Sequence, residues 1–596
     1  MPTYTAPLRD MKFVMQELLN VGKLTEYERF AEADTDTLEA ILDQSGKFAS
    51  EVLTPLNVVG DQEGCTRNDD GSVTMPTGFP EAYKQVVENG MTALSHDPQY
   101  GGMGMPGTWA IATGEMQSAS NMAFAMYPGL TNGASKAIEI GGSDEQKNTY
   151  LPKMISGEWT GTMNLTEPHC GTDLGLLKTK AVPQADGSYK ISGQKIFISA
   201  GEHDMAGNII HLVLARIEGA PEGVKGISLF IVPKFKLDAD GNPGERNLVS
   251  CGAIEHKMGI HGNCTCVMNY DDAEGYLIGD ENKGLRVMFV MMNRARLDVG
   301  MQGFAQSEVA YQNAAAYAKD RLQGRSLTGP KNENGPADPL IVHPDVRRML
   351  METRAYNEGA RALVYWAAMM EDIELVSEDE KERERCDDLL GLLTPVIKGY
   401  LTDKAMATTI DCQQIFGGHG FIEEWGMSQY VRDVRIALTY EGANGVQALD
   451  LVGRKLARKG GRALMTLNAE IDAFLAEHKD NENVSDFMTG LDEAKKQLTE
   501  GTMWLMQNGM TNPDNAGAGS VDYMHMMGLT AFAYMWAKMA VVAQAAIDGG
   551  SNEDFYPNKL ITGRYFVLRM LPQMGAHLAK IKTGAEPLMA LDAAAF

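Results

Sequence analysis

The sequence predicts an α+β protein of several domains, in which a strand-rich segment separates two helical regions and a further helical block follows. Three observations lead to this prediction. Apolar residues recur at three- and four-residue spacing over residues 1–160, as they do along helices. Short β-branched runs bounded by Gly and Pro replace that pattern over residues 161–280. Helical spacing then returns over residues 281–460 and continues through residues 461–596.

The first domain, residues 1–160, is predicted to be helical and to carry an N-terminal extension. Phe13, Val14 and Leu18 follow the spacing of one helix face. Ser143 precedes an acidic, glutamine-containing turn, which indicates a helix N-cap. We therefore expect a set of helices punctuated by glycine- and proline-containing loops.

The second domain, residues 161–280, is predicted to be a β domain inserted between helical ones. Residues 189–198, 211–216 and 227–232 have the composition of strands and are bounded by turn residues. Long helices are predicted next, over residues 296–321 and 344–371, followed by a charged helix start at residues 378–385 and, in the last domain, a loop at residues 512–520.

The charge balance argues against nucleic acid and membrane surfaces as partners. The chain has 596 residues, with 79 Asp and Glu against 53 Lys and Arg, for a net charge of −26. Such a surface repels phosphate backbones and anionic lipids, although a local basic patch can still bind a small anion. We expect a cytoplasmic protein that contacts neither nucleic acid nor a membrane.

The cysteines do not indicate a disulfide framework. Seven cysteines are scattered along the chain, which suits a reducing compartment. Cys264 and Cys266 form the only close pair, and no second ligand pair accompanies them, so no metal site is predicted. Motifs for nicotinamide binding, phosphate loops and zinc proteases are absent from the sequence.

Two segments have a composition suited to chemistry. Residues 163–173 (MNLTEPHCGTD) offer hydroxyls and backbone donors in a turn, which suits a flavin edge and a pyrophosphate. Glu441 lies between an aromatic residue and a glycine in an apolar stretch and is a candidate general base. The structural alternatives are a turn or cap for Thr166 and Thr172, and a cap or ion pair for Glu441.

Six motifs in a fixed order carry a resemblance to a known family. They are MNLTEPHCGTD (163–173), KIFISAG (195–201), RLDVG (296–300), QIFGGHGF (414–421), RDVR (432–435) and YEG (440–442). Over about residues 40–460 the chain resembles the acyl-CoA dehydrogenase family. The resemblance implies an N-terminal helical domain, a central β-barrel-like domain and a C-terminal helical bundle. The N-terminal extension and the last block resemble a longer subgroup, which includes 3-methylthiopropionyl-CoA and broad-range fatty acyl-CoA dehydrogenases.

The resemblance also implies a reaction and its base. Glu441 aligns with the carboxylate that removes the α-proton of the thioester while flavin N5 of FAD accepts the β-hydride. The family binds the thioester carbonyl with the backbone N–H of this base and with a flavin hydroxyl, which stabilises the enolate. Some members carry the base one residue before the position of Arg296, where this chain has Ala295. An alanine cannot act as a base, so the assignment to Glu441 is strengthened.

The family's FAD positions match residues in two regions. On the side of the β domain, Phe197 replaces a tryptophan packed on the ring and Ser199 replaces a threonine near N5. The second region, Arg321 with residues 414–418, would reach the FAD of a neighbouring subunit, which implies a homodimer. For Arg321 the structural alternative is a surface salt bridge. In full, the expected cofactor residues are Leu165, Thr166, Gly171, Thr172, Phe197, Ser199, Arg321, Gln414, Gly417 and Gly418.

The expected substrate residues are Arg296, Tyr440 and Gly442. Arg296 would lie near the thioester or CoA, and its structural alternative is an intrahelical ion pair. The first expected substrate is 3-methylthiopropionyl-CoA, oxidised to a trans-2-enoyl-CoA with an electron-transfer flavoprotein as acceptor. The alternatives are a medium- or long-chain fatty acyl-CoA dehydrogenase and an acyl-CoA oxidase. A DNA-associated, non-catalytic relative is disfavoured by the acidic C-terminal block.

Overall fold

The computed structural model of the protein describes residues 2–596. The helices are α1 (Leu8–Lys12), α2 (Thr35–Phe48), α3 (Thr54–Glu63), α4 (Phe79–Glu88), α5 (Gly107–Ser120), α6 (Met122–Gly141), α7 (Asp144–Ile155), α8 (Gly284–Asp320), α9 (Pro344–Val376), α10 (Glu380–Ile415), α11 (Met427–Val434), α12 (Asn444–Asp450), α13 (Arg462–His478), α14 (Ser485–Thr511), α15 (Pro513–Asp548), α16 (Phe555–Tyr565), α17 (Gln573–Thr583) and α18 (Glu586–Met589).

The strands lie in the middle of the chain, apart from a short hairpin that precedes them. They are β1 (Thr66–Arg67), β2 (Val73–Thr74), β3 (Trp159–Asn164), β4 (Lys180–Pro183), β5 (Tyr189–Ser199), β6 (Asn208–Ile217), β7 (Ser228–Pro233), β8 (Phe235–Leu237), β9 (Pro243–Arg246), β10 (Val249–Ile254) and β11 (Thr265–Ile278). All three strands predicted from composition are confirmed, as β5, β6 and β7.

The chain forms two compact units. One comprises Gln44–Asp298, and the other comprises the residues up to Asp43 together with Val299–Phe596. One boundary falls inside α2 and the other inside α8.

A seven-stranded sheet is the centre of the unit Gln44–Asp298. Its order is β10-β11-β5-β4-β6-β3, and β7 pairs with both β11 and β6. These pairings close a ring of five strands, so the predicted β-barrel-like domain is confirmed. β6 runs parallel to β3 and β4, whereas β5 and β11 pair antiparallel along their length, from Tyr189 opposite Gly275 to Ser199 opposite Thr265.

Helices of the same unit pack on this sheet through buried aromatic side chains. Phe79 on α4 and Phe124 on α6 are fully buried against barrel residues such as Phe230. The predicted N-cap is confirmed: Ser143 Oγ accepts from the Gln146 backbone N–H at 3.2 Å, and the Gln146 side chain accepts from Ser143 N–H at 3.0 Å. This reciprocal pair satisfies two donors at the start of α7.

The second unit is helical, and α15 is its central element. α15 packs against α14, α16 and α17, and also against α9, α10 and α12. Among residues 2–596, α15 alone is long and apolar enough to cross a membrane, and 83% of its most apolar window is buried inside the protein. The length and hydropathy of α15 therefore match those of a core helix.

The predicted loop at residues 512–520 is wrong, because α15 begins at Pro513. Asn512 caps the helix by accepting from the Asp514 backbone N–H at 3.1 Å, and proline suits the first helical position because no partner is needed there. Gly519 is a packing residue: a Cβ added there would lie 3.0 Å from Leu505 Cδ2 on α14. Gly519, one of the glycines that suggested a turn, instead allows α14 and α15 to approach each other.

Buried ion pairs join the start of the chain to the C-terminal helices. The Asp10 carboxylate binds the side chains of Arg361 on α9 and Lys559 on α16. Lys559 also binds Glu358 on α9 at 2.6 Å. The side chains of Arg361 and Lys559 are each 1% exposed. This network of ion pairs therefore links three separate parts of the sequence: the N-terminal extension, α9 and α16.

Candidate active site

Glu441 lies in a turn between a short 3-10 segment and α12. Its φ angle is 57°, in the left-handed region that non-glycine residues seldom occupy, and Gly442 follows with φ 88°. Such strain is found mainly at functional sites, where the surrounding structure holds it in place. The side chain is partly exposed, as is that of Tyr440, whose hydroxyl donates to Gln302 Oε1 on α8.

α12 stabilises this turn from its C-terminal side. The Gln447 side chain donates from Nε2 to the backbone carbonyls of Glu441 at 3.0 Å and of Gly442 at 3.3 Å. Asn444, the first residue of α12, is buried and accepts a hydrogen bond from Lys398 Nζ at 2.8 Å. The expected substrate residues Tyr440 and Gly442 therefore lie directly beside Glu441 in one braced turn.

Four of the expected flavin residues lie together at the end of β3 and along β5, in the other unit. The backbone N–H of Ile196 donates to the Thr166 carbonyl at 2.9 Å, which brings Leu165 and Thr166 to the edge of β5. Phe197 is 60% exposed and has a φ of 61°. Ser199, two residues later on the same strand, is partly exposed.

A buried ion pair behind this loop was not identified from the sequence. Lys195 Nζ donates to the Leu165 carbonyl at 3.0 Å and to Glu167 Oε1 at 2.9 Å, and the Lys195 side chain is 0% exposed. Burial lowers the pKa of Lys195 to about 8, although the Glu167 carboxylate opposes that shift. The only signal in the sequence was that Glu167 and Lys195 each lie within a motif that matches the family, because sequence spacing does not place them in contact.

Gly171 and Thr172 are exposed in the turn that follows this ion pair. Glu167 and Cys170 are joined by backbone hydrogen bonds in both directions, at 2.8 and 3.1 Å, which closes the turn before them. The Glu167 carboxylate also accepts from the Lys178 and Thr179 backbone N–H groups, at 2.7 and 3.0 Å. The turn is therefore anchored at its base and open at its tip.

The remaining cofactor residues gather at one end of the helical unit. Gln414, Gly417 and Gly418 are exposed at the end of α10, and Gly417 has a φ of 57°. The ring of Tyr317 on α8 stacks on Phe416, with centroids 4.2 Å apart. Arg321, four residues after Tyr317, is exposed and follows the end of α8.

Arg296 lies on α8, in the part that belongs to the unit of the β-barrel, and is 9% exposed. The expected site residues thus form three groups and one single position: the Glu441 turn, the β3–β5 flavin loop, the α8–α10 end and Arg296. The first and third groups lie in the helical unit, and the others lie in the unit Gln44–Asp298.

These residues fit FAD by their chemistry. The exposed ring of Phe197 suits contact with the face of an isoalloxazine ring. The hydroxyls of Thr166, Thr172 and Ser199 suit the polar edge of a flavin. The exposed guanidinium of Arg321 suits a diphosphate, because its planar donors match phosphate oxygens. No feature of the three groups opposes the cofactor.

Sequence profiles of one family match most of the chain. The profiles described as acyl-CoA dehydrogenase N-terminal, middle and C-terminal domain match residues 35–158, 162–273 and 282–456, and one described as acetyl-CoA dehydrogenase C-terminal like matches residues 467–592. The chain belongs to the acyl-CoA dehydrogenase family. Members of this family are FAD-dependent oxidoreductases, so the expected enzyme class and cofactor are confirmed.

Curated acyl-CoA dehydrogenases resemble the chain along its whole length. The 3-methylmercaptopropionyl-CoA dehydrogenase of Ruegeria pomeroyi is 41% identical, over 98% of this chain and 99% of that one. A butyryl-CoA dehydrogenase of Syntrophomonas wolfei is 36% identical over 97% of both chains. The broad-specificity linear acyl-CoA dehydrogenase of Mycobacterium tuberculosis is 34% identical over 100% of both.

Solved acyl-CoA dehydrogenase structures share the fold. The Caenorhabditis elegans protein ACDH-11, solved with C11-CoA, has a TM-score of 0.78 at 18% identity, covering 96% of this chain and 92% of that one. An acyl-CoA dehydrogenase of Bacillus anthracis, solved with FAD, has a TM-score of 0.73 at 22% identity, covering 94% and 90%. The predicted acyl-CoA dehydrogenase fold with an additional C-terminal helical domain is thereby confirmed.

Proposed function

We propose that this acyl-CoA dehydrogenase converts 3-methylthiopropionyl-CoA to its trans-2-enoyl-CoA, with Glu441 as the base that removes the α-proton. The observation that carries the assignment of the base is the left-handed conformation of Glu441 in a turn that Gln447 holds. The 41% identity to a 3-methylmercaptopropionyl-CoA dehydrogenase over nearly the full length of both chains supports the substrate.

The α-proton of a thioester is a weak acid, so a carboxylate can remove it only if the developing enolate is stabilised. We assign this stabilisation to the backbone N–H of Glu441, which would donate to the thioester carbonyl. The partly exposed side chain would lose contact with water when an acyl chain fills the site, so the carboxylate would face the α-carbon without competing solvent. Tyr440, Gly442 and Arg296 would bind and orient the acyl-CoA.

Bound FAD supplies the acceptor for the β-hydride. In one subunit Leu165, Thr166, Phe197 and Ser199 would hold the ring, and Gly171 and Thr172 the pyrophosphate. Arg321, Gln414, Gly417 and Gly418 would hold the FAD of a partner subunit in a homodimer. We also propose an electron-transfer flavoprotein as acceptor, and a cytoplasmic location.

Glu441→Gln tests the assignment of the base. It removes the basic oxygen and keeps the size of the side chain, so the flavin should remain bound while its reduction by acyl-CoA slows by about 10²–10⁴-fold. Anaerobic stopped-flow absorbance of the flavin band measures this rate. Glu424→Gln is the matched control, since Glu424 is an exposed carboxylate 17 residues earlier and should react at the wild-type rate. A Glu441→Gln enzyme as fast as this control would rule out the proposed base.

A panel of acyl-CoAs tests the substrate. Anaerobic bleaching by 3-methylthiopropionyl-CoA or butyryl-CoA, with little bleaching by palmitoyl-CoA, is the expected result. The second candidate is a medium- or long-chain fatty acyl-CoA dehydrogenase, which the 34% identity to a broad-specificity linear enzyme favours. Preferential bleaching by palmitoyl-CoA would establish that alternative. Rapid aerobic peroxide formation would instead indicate an acyl-CoA oxidase.

A further inference from the structure

The side chain of Asn444 makes an unusually complete set of hydrogen bonds. Its Oδ1 accepts from Lys398 Nζ at 2.8 Å, and its Nδ2 donates to Asp403 Oδ1 at 2.7 Å and Thr402 Oγ1 at 2.9 Å. The residue is 9% exposed. A buried amide with both ends bonded can adopt only one orientation, so α10 fixes the first residue of α12.

The second oxygen of Asp403 faces the C-terminal helical block. His525 on α15 lies with Nε2 3.0 Å from Asp403 Oδ2. An ionised carboxylate only accepts hydrogen bonds, so this ring nitrogen carries the proton and donates. The edge of the Tyr400 ring packs against His525 at 5.4 Å between centroids, which limits the movement of the imidazole. One carboxylate thus receives a donor from α12 and another from α15.

The backbones of α10 and α15 are in close contact around this pair. A Cβ added to Gly399 would lie 2.3 Å from Met524 Sδ, and one added to Gly528 would lie 2.3 Å from Tyr400 Cγ. Met524 and Gly528 flank His525 on α15. Because a glycine on each helix leaves room for a side chain of the other, the two backbones approach closely, and His525 comes within hydrogen-bonding distance of Asp403.

The turn that carries Glu441 is attached to the residue that this network fixes. Asn444 follows Glu441 by three positions, and Gln447, one turn further along α12, donates to the Glu441 carbonyl at 3.0 Å. A displacement of the first turn of α12 therefore moves the backbone of Glu441. In addition, the left-handed conformation of Glu441 persists only while its surroundings hold it.

We propose that the C-terminal helical block positions the catalytic base, through a chain of hydrogen bonds from His525 to Asp403 to Asn444. The proposal rests on the proposed role of Glu441. The three residues are positioning residues, since they act on the acyl-CoA only through the turn. The block thereby takes part in catalysis by setting where the carboxylate stands when it removes the α-proton.

His525→Leu is the principal test, with His525→Gln as the conservative variant. Leucine removes the donor, whereas glutamine retains an N–H that can reach Asp403. Tyr523→Phe is the matched control, because it removes a buried hydrogen bond to Thr502, 2.7 Å long, from the same helix without touching Asp403. For each variant, the measurements are FAD content, affinity for butyryl-CoA and the anaerobic rate of flavin reduction by butyryl-CoA and by its α-deuterated form.

A positioning role predicts a particular combination of results. His525→Leu should keep its FAD and bind butyryl-CoA normally, but reduce flavin about tenfold or more slowly, because small misplacements of a reacting group are costly. Its α-deuterium isotope effect should rise, since proton removal becomes more limiting. His525→Gln should recover most of the rate. Tyr523→Phe should match the wild-type enzyme in rate and isotope effect even if it melts at a lower temperature.

A His525→Leu enzyme with the rate and isotope effect of Tyr523→Phe would overturn the positioning role. If His525→Leu does not fold, Asp403→Asn tests the same proposal. Asparagine keeps the volume of the side chain, but it has only one acceptor oxygen and so cannot accept hydrogen bonds from both Asn444 and His525. Glu441→Gln is run alongside these variants. Wild-type flavin reduction in Glu441→Gln would show that the proposed function has failed, whereas an inactive Glu441→Gln with a normal His525→Leu would reject only the positioning chain.

Discussion

Asp10 near the start of the chain and Lys559 on α16 form an ion pair inside the helical unit, although 549 positions separate them. Arg361 approaches the same carboxylate from α9. The pair therefore connects the N-terminal extension to the C-terminal helical block and to the dehydrogenase bundle between them. Removal of Lys559 would leave Asp10 with Arg361 as its remaining cation, and the loss of one buried charged donor is costly.

Lys559→Met should lower the free energy of unfolding by about 1.5–3 kcal/mol, because Asp10 and Glu358 would lose a shared charged donor and keep only Arg361 and Arg354. Chemical denaturation followed by circular dichroism measures the change. Lys582→Met is the matched control in the same block, since Lys582 pairs with Glu500 on the surface and should lose only about 0–1 kcal/mol. Equal losses in the two variants would contradict a role for burial.

Lys195→Met should weaken FAD binding by about tenfold or more, because it removes a charged donor to the Leu165 carbonyl and leaves Glu167 buried without its cation. Fluorescence titration of the apoprotein with FAD measures the affinity. Lys190 lies on the same strand with an exposed side chain, so Lys190→Met should bind FAD as the wild type does. Unchanged FAD affinity in Lys195→Met would show that this ion pair does not contribute to FAD binding.

The free energy of unfolding should fall as the pH is lowered from about 6.5 towards 4. Burial lowers the pKa of His203 to about 4 and that of His211 to about 3, with the Lys234 charge adding to the shift. Below the unfolded pKa of about 6.5, the unfolded chain binds protons that the folded chain excludes, so each histidine contributes up to about 1.4 kcal/mol per pH unit.

Denaturant titrations at pH 7, 6 and 5 measure this dependence. The variant His211→Gln removes one of the two titrating groups, so its stability should fall less steeply than that of the wild type over the same range. Other groups contribute equally to both proteins and cancel in the difference. Parallel curves for the two proteins would show that His211 does not carry the effect.

Arg321→Met should lose FAD while keeping the proposed homodimer, because the exposed guanidinium is assigned to the pyrophosphate of the partner's cofactor. Light scattering should give about twice the 64.9 kDa chain mass for both proteins, and absorbance at the flavin band should report lower occupancy in the variant. Lys319→Met removes a neighbouring exposed charge in the last turn of α8 and should leave occupancy unchanged. A monomeric wild-type mass would exclude the shared site.

The sequence predicted the elements whose signals are local. Strand β5 and the N-cap at Ser143 follow from alternating side chains and from a capping pattern that spans four residues. The prediction for residues 512–520 was wrong for the same reason: the glycines there have the composition of a turn, and only the contact of Gly519 with Leu505 on α14 shows that this glycine permits helix packing. Local composition cannot distinguish a glycine that bends the chain from one that admits a second helix.

The sequence predicted which residues form the candidate site, but not the contacts that hold those residues in place. Glu441 and Thr166 were identified through the family resemblance, and their roles stay predictions, as do the domain boundaries. The left-handed backbone at Glu441 and the buried partnership of Lys195 with Glu167 depend on contacts between distant segments. Sequence spacing carries no information about such contacts unless both partners belong to one helix or one strand pair.

The close approach of α10 and α15 limits the substitutions that the chain can accept during evolution. Gly399 leaves room for Met524, so a side chain gained at one position demands volume lost at the other. Gly399→Ala alone would clash with Met524, and Met524→Ala alone would leave a cavity, whereas the paired exchange of both avoids the clash and fills part of the space. Among diverged or laboratory-selected descendants of this protein, these two positions are expected to covary, and the C-terminal block is expected to be inherited together with the dehydrogenase bundle.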